Sequence, residues 1–251
     1  MTKRLDGKRI IITGAVSNIG LAAVRSFVAE GARVVIGDKN EDGGKSVADE
    51  IGAAVRFIGT DVSSEASVAG LVDKGVDWLG GLDVLVQNAG VQHSGPIADF
   101  DQARWDSLFS INARAQFFGA KHAIPHLRKS GKGSIINTSS LAGKRGGPGL
   151  VAYSASKGAV IAFTTALAIE LAPDNIRVNA ICPGWVDTAF NQPAIDYMGG
   201  SAAQQAKIAT YVPLGRQAQS EEIAPLFVYL ASDESSYVTA QAISVDGGVY
   251  N

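Results

Sequence analysis

The hydrophobic and polar positions alternate between two patterns along the chain. Short apolar or β-branched runs stand at RIIIT (9–13), RVVIGD (33–38), AVRFIGTD (54–61), DVLVQNAG (83–90), GSIINTSS (133–140), IRVNAICPG (176–184) and AISVDGG (242–248). Between them lie longer stretches with helical spacing or alanine richness, over 19–30, 41–51, 65–79, 101–128, 151–172 and 221–231. The first kind reads as strands and the second as helices. Strands that are apolar without interruption, joined by helices, imply a parallel sheet covered on both faces. The prediction is therefore an α/β fold, a doubly wound parallel sheet of seven strands, with residues 1–251 as one domain. No internal repeat or low-complexity linker divides it. One stretch does not fit: 189–215, AFNQPAIDYMGGSAAQQAKIATYVPLG, lies between a strand and a helix and reads as an insertion over an opening.

Composition narrows the function classes. The chain has 251 residues, 46% hydrophobic and 18% charged, enough apolar surface for one large core. With a net charge of −2 and no Lys/Arg run to neutralise phosphates, nucleic acid is not an expected partner. No apolar run is expected to span a bilayer, and the start MTKRLDGKR is too polar for a secretion signal. The single cysteine, Cys182, has no intramolecular partner for a disulfide, which fits a reducing cytoplasm.

In a doubly wound sheet a dinucleotide pyrophosphate would bind at the first strand-to-helix turn, on free N–H groups and the positive end of a helix dipole. TGAVSNIG (13–20) stands there, with Gly14, Ser17, Asn18, Ile19 and Gly20 as candidate contacts. Gly14 suits a tight turn and Gly20 a close helix–sheet approach. Asn18, where a third glycine might fall, tolerates left-handed geometry. The run departs from G-x-G-x-x-G, so by itself it reads equally as an ordinary turn. Asp38 ends the second strand, 18 residues after Gly20, where a carboxylate accepts both adenosine ribose hydroxyls and repels a 2′-phosphate; the competing reading is the cap of a helix starting near Glu41. Lys39 next to it would soften a preference for NAD over NADP. Asp61 is a candidate for the adenine amino group with Val62 stacked nearby, or the cap of helix 65–79. Asn88, Ala89 and Gly90 form a small-residue turn against which a ribose would lie, or simply a strand end.

Tyr153 and Lys157, in AYSASKGA, are four apart and share one face of a helix. A phenol with a pKa near ~10 is a poor base at neutral pH, and a nearby lysine cation would lower it. A solvated lysine beside a half-buried tyrosine is the commoner case.

Taken together, these motifs resemble the short-chain dehydrogenase/reductase family of single-domain, Rossmann-type enzymes. The resemblance runs from RIIITGAVSNIG through NAG (88–90), IINTSS (135–140), YSASK (153–157) and VNAICPGWVDT (178–188) to VDGG (245–248). Two positions depart from the family pattern: Asn18, and Ala240 in VTAQ, where glycine is usual, which puts the local backbone geometry in question. The resemblance implies Tyr153 as acid/base, Lys157 lowering its pKa and holding the nicotinamide ribose, and Ser140 on the substrate oxygen. It also implies Asn112 helping to hold a water near Lys157, and Pro183, Gly184, Val186 and Thr188 lining the nicotinamide. Strand alternation turns the neighbouring Ser139 the opposite way from Ser140. The implied cofactor is NAD, with NADP disfavoured by Asp38.

The substrate is less legible. Gln92 and His93 follow NAG at the carboxyl edge of the sheet and either touch substrate or belong to a solvated loop; Trp185 is placed similarly. Asp38 and the polar Gln92–His93 pair suggest a small polar alcohol: a sugar, polyol or hydroxy acid. The alternatives are a 3-oxoacyl thioester reductase and, in another class, a non-catalytic dinucleotide-binding regulator. Segment 189–212 is expected to be a mobile lid, hinged at Gly199–Gly200, with Ile195, Tyr197, Met198, Ile208 and Tyr211 as apolar cover; a fixed helical hairpin is the other reading. Helix 151–172 is apolar or small around most of its girth, so one face should seek a partner helix, and the family resemblance implies a homotetramer. His122 and His126 have metal-ligand spacing but no evident third ligand, Pro125 is expected to interrupt their helix, and no metal is expected.

Overall fold

The computed structural model describes residues 3–250. Seven strands form one parallel sheet in the order β3-β2-β1-β4-β5-β6-β7. They are β1 (Arg9–Thr13), β2 (Arg33–Asp38), β3 (Val55–Gly59), β4 (Val84–Gln87), β5 (Gly133–Thr138), β6 (Ile176–Pro183) and β7 (Ala242–Val245). The period of two along each strand sorts the apolar side chains into two cores. Ile10 and Ile12 of β1, Val34 and Ile36 of β2 and Val84 and Val86 of β4 face one side. There they meet α1 (Asn18–Ala29) and α9 (Ser220–Ala231) through Val24, Phe27, Ile223 and Phe227. Ile11, Val35, Leu85 and Ile135 face the other side. They meet α3 (Glu65–Leu79), α5 (Ala115–Ser130) and α6 (Val151–Leu171) through Leu71, Ala123, Leu127, Leu167 and Leu171. The expected doubly wound fold is present.

The differences from expectation are local. The expected helix 101–128 is α4 (Gln102–Leu108), a π-helical turn at Phe109–Arg114, and then α5. Pro125 lies inside α5 without ending it. The insertion is two helices, α7 (Gln192–Met198) and α8 (Ser201–Tyr211), joined at Gly199 and Gly200, whose φ values of 97° and 98° reverse the chain. The helix expected over 41–51 is α2 (Glu41–Ile51), which flanks β2. The expectation that no apolar run reaches membrane-spanning length is corrected: Val151–Asp174, with a mean hydropathy of 1.4, qualifies by length and composition. Its apolar character has a source within the fold, because α6 lies on the sheet and buries Val160, Leu167, Ala168 and Leu171.

Candidate active site

Strand order reverses between β1 and β4, and ligands of open α/β sheets bind in the crevice beyond the carboxyl ends at such a switch point. The glycine-rich turn stands on that crevice. Gly14 has φ 68° and Asn18 φ 51°, so asparagine does adopt the left-handed conformation where glycine is usual. A Cβ on Gly20 would fall on the Gly14 carbonyl oxygen and lie 2.7 Å from Asn88 Nδ2. Asn88 braces the turn, donating from Nδ2 to the Gly14 carbonyl at 2.6 Å and accepting from Thr138 Oγ1 at 3.2 Å, so β1, β4 and β5 are tied at one point. Ser17 precedes α1 but its side chain caps nothing, and the first turn, with Ile19, carries no acidic residue. The leading N–H groups are thus left without a side-chain acceptor, as an anion-binding turn requires.

Two competing readings fall. Asp38 does not cap α2; Asn40 does, accepting from the Gly43 N–H at 3.0 Å. Asp38 is half-buried at the end of β2 and, among the described residues, accepts only from the Asn40 N–H, at 3.0 Å. Likewise Ser64, not Asp61, caps α3. Asp61 is exposed and accepts from the Ser63 hydroxyl (2.7 Å) and N–H (2.9 Å), which lower its pKa; Val62 beside it is half-buried.

The chemistry is assembled where β5 runs toward α6. Tyr153 is 6% exposed and Lys157 2%. Lys157 Nζ lies 6.0 Å from the Tyr153 ring centre and donates to the Thr138 carbonyl at 2.8 Å. Ser139 turns away, its hydroxyl donating to the Lys157 carbonyl at 2.8 Å, and so seats the helix on the strand. Ser140 faces the site and hydrogen-bonds Tyr153; its Oγ also accepts from the Ala142 N–H at 3.1 Å. The alternation expected between the two serines is present. The expected lowering of the phenol pKa is not. Burial pushes Tyr153 up to about 12, opposed only by the Ser140 hydrogen bond. The reason is geometric: the ammonium is directed at Thr138 rather than at the phenol oxygen. Burial also brings Lys157 down to about 8, against a weaker opposing effect of the Cys182 thiol, itself held above its ordinary value by burial.

Asn112 is fully buried on the π-helical turn. Its Oδ1 accepts from the Val91 N–H (2.8 Å), and its Nδ2 donates to the Val91 carbonyl and Ser156 Oγ (both 3.0 Å). Both N–H groups of its side-chain amide are engaged by protein, while Oδ1 keeps a second acceptor position for the expected water. Asn112 is a positioning residue that fixes the 88–91 turn against α6. Gly90 leaves room for this: a Cβ there would stand 3.2 Å from Asn112 Oδ1 and 3.3 Å from Lys157 Nζ. Ala89 donates from its N–H to Thr13 Oγ1 at 3.4 Å.

Pro183 ends β6, Gly184 donates to the Val245 carbonyl at 3.0 Å, and a Cβ on Gly184 would lie 2.7 Å from Asp246. Val186 is buried and its carbonyl accepts from Asn191 Nδ2 at 2.6 Å; Thr188, half-buried, precedes the 3-10 turn at Ala189–Asn191. Trp185 is half-buried, its carbonyl accepting from Ala218. Gln92 is 9% exposed, and its Oε1 has no partner. His93 lines a cavity of about 550 Å³ between the 93–104 stretch and α7. Of the expected lid cover, Ile208 is buried and Ile195 and Met198 are half-buried, but Tyr197 and Tyr211 are exposed, at 41% and 64%.

Sequence reasoning missed the groups that act through backbone or at a distance. The Thr138 carbonyl holds Lys157, Ser156 holds Asn112, and Phe190 packs on Tyr153 with ring centres 6.4 Å apart. A backbone carbonyl leaves no trace in residue identity; Phe190 was visible only as one more apolar residue of the insertion. His122 is accounted for by Glu65 at 3.3 Å, and among the described residues no cluster is arranged for a metal.

With this geometry in view, comparison with known proteins gives a consistent answer. The family model described as "Enoyl-(Acyl carrier protein) reductase" matches residues 14–250. The chain is 41% identical over 248 residues to the 3-alpha-(or 20-beta)-hydroxysteroid dehydrogenase of Mycobacterium tuberculosis, covering 99% of this chain and 91% of that protein. It is 40% identical over 250 residues to the cyclopentanol dehydrogenase of Comamonas testosteroni, covering 98% of each. The crystal structure of the Brucella melitensis 3-ketoacyl-(acyl-carrier-protein) reductase complexed with NADH superposes with a TM-score of 0.90 at 33% identity, covering 98% of this chain and 99% of that one. This chain belongs to the short-chain dehydrogenase/reductase family and is an oxidoreductase acting on CH–OH groups.

Proposed function

We propose that the protein interconverts a secondary alcohol and a ketone with NAD(H), Tyr153 moving the hydroxyl proton. The observation that carries this reading is the convergence of Ser140, Tyr153 and Lys157 beside a glycine turn that a Cβ would fill. When bound, the nicotinamide supplies the hydride acceptor for oxidation and the donor for reduction. In oxidation the Tyr153 oxygen takes the substrate hydroxyl proton as the carbinol carbon gives up hydride, and reduction runs the transfers backward. Ser140 donates to the substrate oxygen, the kind of fixed donor that commonly contributes a few kcal/mol. The free phenol, at about 12, is unsuited to this work near neutral pH. The Lys157 ammonium, 6.0 Å from the ring centre, would act in the required direction once turned toward the phenol oxygen. Gly14, Ser17, Asn18, Ile19 and Gly20 would hold the pyrophosphate, and Asp38 the adenosine ribose in preference to a 2′-phosphate. Tyr153→Phe is expected to abolish turnover across a panel of secondary alcohols while NADH still binds, read by nucleotide fluorescence. Substantial residual turnover would refute Tyr153 as the proton carrier.

A small polar alcohol fits the polar 92–104 stretch. Apolar cyclic alcohols are the second reading, favoured by the names of the hydroxysteroid and cyclopentanol dehydrogenase relatives. Residues 189–212 act as a lid whose tip, Tyr197, lies against Gly149. The working assembly is a homotetramer. A stripe on α6 of small and apolar residues, Val151, Ala155, Ala162, Ala166 and Ile169, is exposed in the single chain, with Ile169 at 74%. Light scattering that shows a monomer at micromolar concentration would refute it. The lone Cys182, buried and free, is compatible with a reducing cytoplasm.

A further inference from the structure

Among the described residues five buried side-chain polar atoms have no hydrogen-bond partner. Three of them, Gln92 Oε1, Ser94 Oγ and Ser154 Oγ, lie on the stretch after the 88–90 turn and on the residue following Tyr153. An unsatisfied buried polar atom is costly, and natural folds hold few. Gln92 and Ser94 belong to the stretch that borders the open cavity beside the site, where a bound molecule can bring the missing partners. The stretch bearing Gln92 is firmly placed, because Val91 is bound on both sides by Asn112 and packs in the cluster that holds Tyr153. Ser94 opens onto the cavity of about 550 Å³ bounded by His93, Asp99, Arg104, Asp196 and Tyr197. The charges there are unequal. Arg104 is committed to the Asp101 carboxylate (2.7 Å) and the Asp99 carbonyl (2.9 Å), and its guanidinium lies over Phe100. Asp196 accepts from Gln192 at 2.7 Å, and neither it nor Asp99 makes an ion pair among the described residues. Two carboxylates at the mouth would repel an anion and would accept hydrogen bonds from hydroxyls.

We infer that the substrate is a neutral polyhydroxylated compound. Its reacting carbinol lies at Tyr153, an adjacent hydroxyl donates to Gln92, and more distant hydroxyls reach Ser94 and the Asp99 and Asp196 carboxylates. This rests on the reaction proposed above and selects polyols and sugars over hydroxy acids, phosphate-bearing thioesters and apolar cyclic alcohols. A site built to bond a hydroxyl discriminates strongly against an analogue that lacks it.

The test uses the full chain with NAD⁺ and compares kcat/KM for xylitol, sorbitol and butane-2,3-diol with 3-hydroxybutyrate and with cyclohexanol. The best polyol is expected to exceed both other classes by at least about tenfold. Gln92→Leu, with Ser94→Ala as an independent variant, should reduce the polyol-to-cyclohexanol ratio by about tenfold, mainly through KM. Asp99→Asn together with Asp196→Asn should raise the hydroxy acid relative to the polyol. A wild-type preference for cyclohexanol or 3-hydroxybutyrate overturns the inference, as does an equal loss on all three classes in both Gln92→Leu and Ser94→Ala. Turnover of cyclohexanol alone, abolished by Tyr153→Phe, would overturn the polyol inference and leave the proposed reaction standing. No turnover in any class despite bound NADH would overturn both.

Discussion

Lys157 offers a test of how burial sets the electrostatics of this site. The ammonium is 2% exposed and has one hydrogen-bond partner, the Thr138 carbonyl at 2.8 Å. Burial lowers its pKa from 10.5 to about 8. Between those values the unfolded chain binds more protons than the folded one, so stability must rise with pH across that window. Each pKa unit corresponds to about 1.4 kcal/mol, so the whole window amounts to about 3 kcal/mol, most of which accrues between pH 7 and pH 10. Lys157→Met keeps an apolar stem and removes the titration. It also leaves the Thr138 carbonyl without a partner, a cost that does not vary with pH. Urea denaturation of both proteins at one protein concentration and at pH 7, 8, 9 and 10 gives the comparison. The stability of the wild type minus that of the variant should rise by about 2–3 kcal/mol over this range. Tyr153 acts oppositely: its pKa is raised to about 12, so its contribution is lost as pH climbs above 10, and the series stops there. Parallel pH profiles for the two proteins would refute the claim that this ammonium is folded in at a desolvation cost. The variant should also lose turnover, since it no longer supplies a cation beside Tyr153.

Asp38→Ala is expected to lower kcat/KM with NAD⁺ and raise it with NADP⁺, shifting their ratio by about tenfold or more; an unchanged ratio would place cofactor selection elsewhere, Lys39 first. Ala240 has φ 60°, the left-handed region that a side chain disfavours, so Ala240→Gly should stabilise the fold by about 0.5–1 kcal/mol, seen as a Tm higher by about 1–3 °C. A lower Tm would mean that the methyl's contact with the core outweighs the backbone strain. For the lid, hydrogen exchange should be fast across 190–210 in the free protein and slow on adding NAD⁺ and a substrate analogue; uniformly slow exchange, unchanged by ligand, would mean a fixed hairpin.

Much of this protein is written locally. Continuous apolar runs such as IIIT and RVVI can be satisfied only by strands covered on both faces, and the spacing of Tyr153 and Lys157 puts them on one helix face in any context. Gly14 and Asn18 announce a turn with left-handed residues, because φ preference belongs to the residue itself, whereas the strained backbone at Ala240 was signalled only by the family resemblance, in which glycine is usual there. Tertiary structure decided everything that depends on what lies opposite. It gave α2 and α3 the caps Asn40 and Ser64, leaving Asp38 and Asp61 for other work. It broke the 101–128 helix with a π-helical turn so that Asn112 could bind Val91 and Ser156, a demand no local pattern encodes. It also reversed the expected sign of the Tyr153 shift. The sequence shows that a lysine is four residues away, but where its ammonium points and how much water the phenol has lost are set by β5 and by Phe190, which come from distant parts of the chain. The two orphaned groups of Gln92 and Ser94 belong to the same category, because an unmet hydrogen bond becomes visible only when every neighbour is in place.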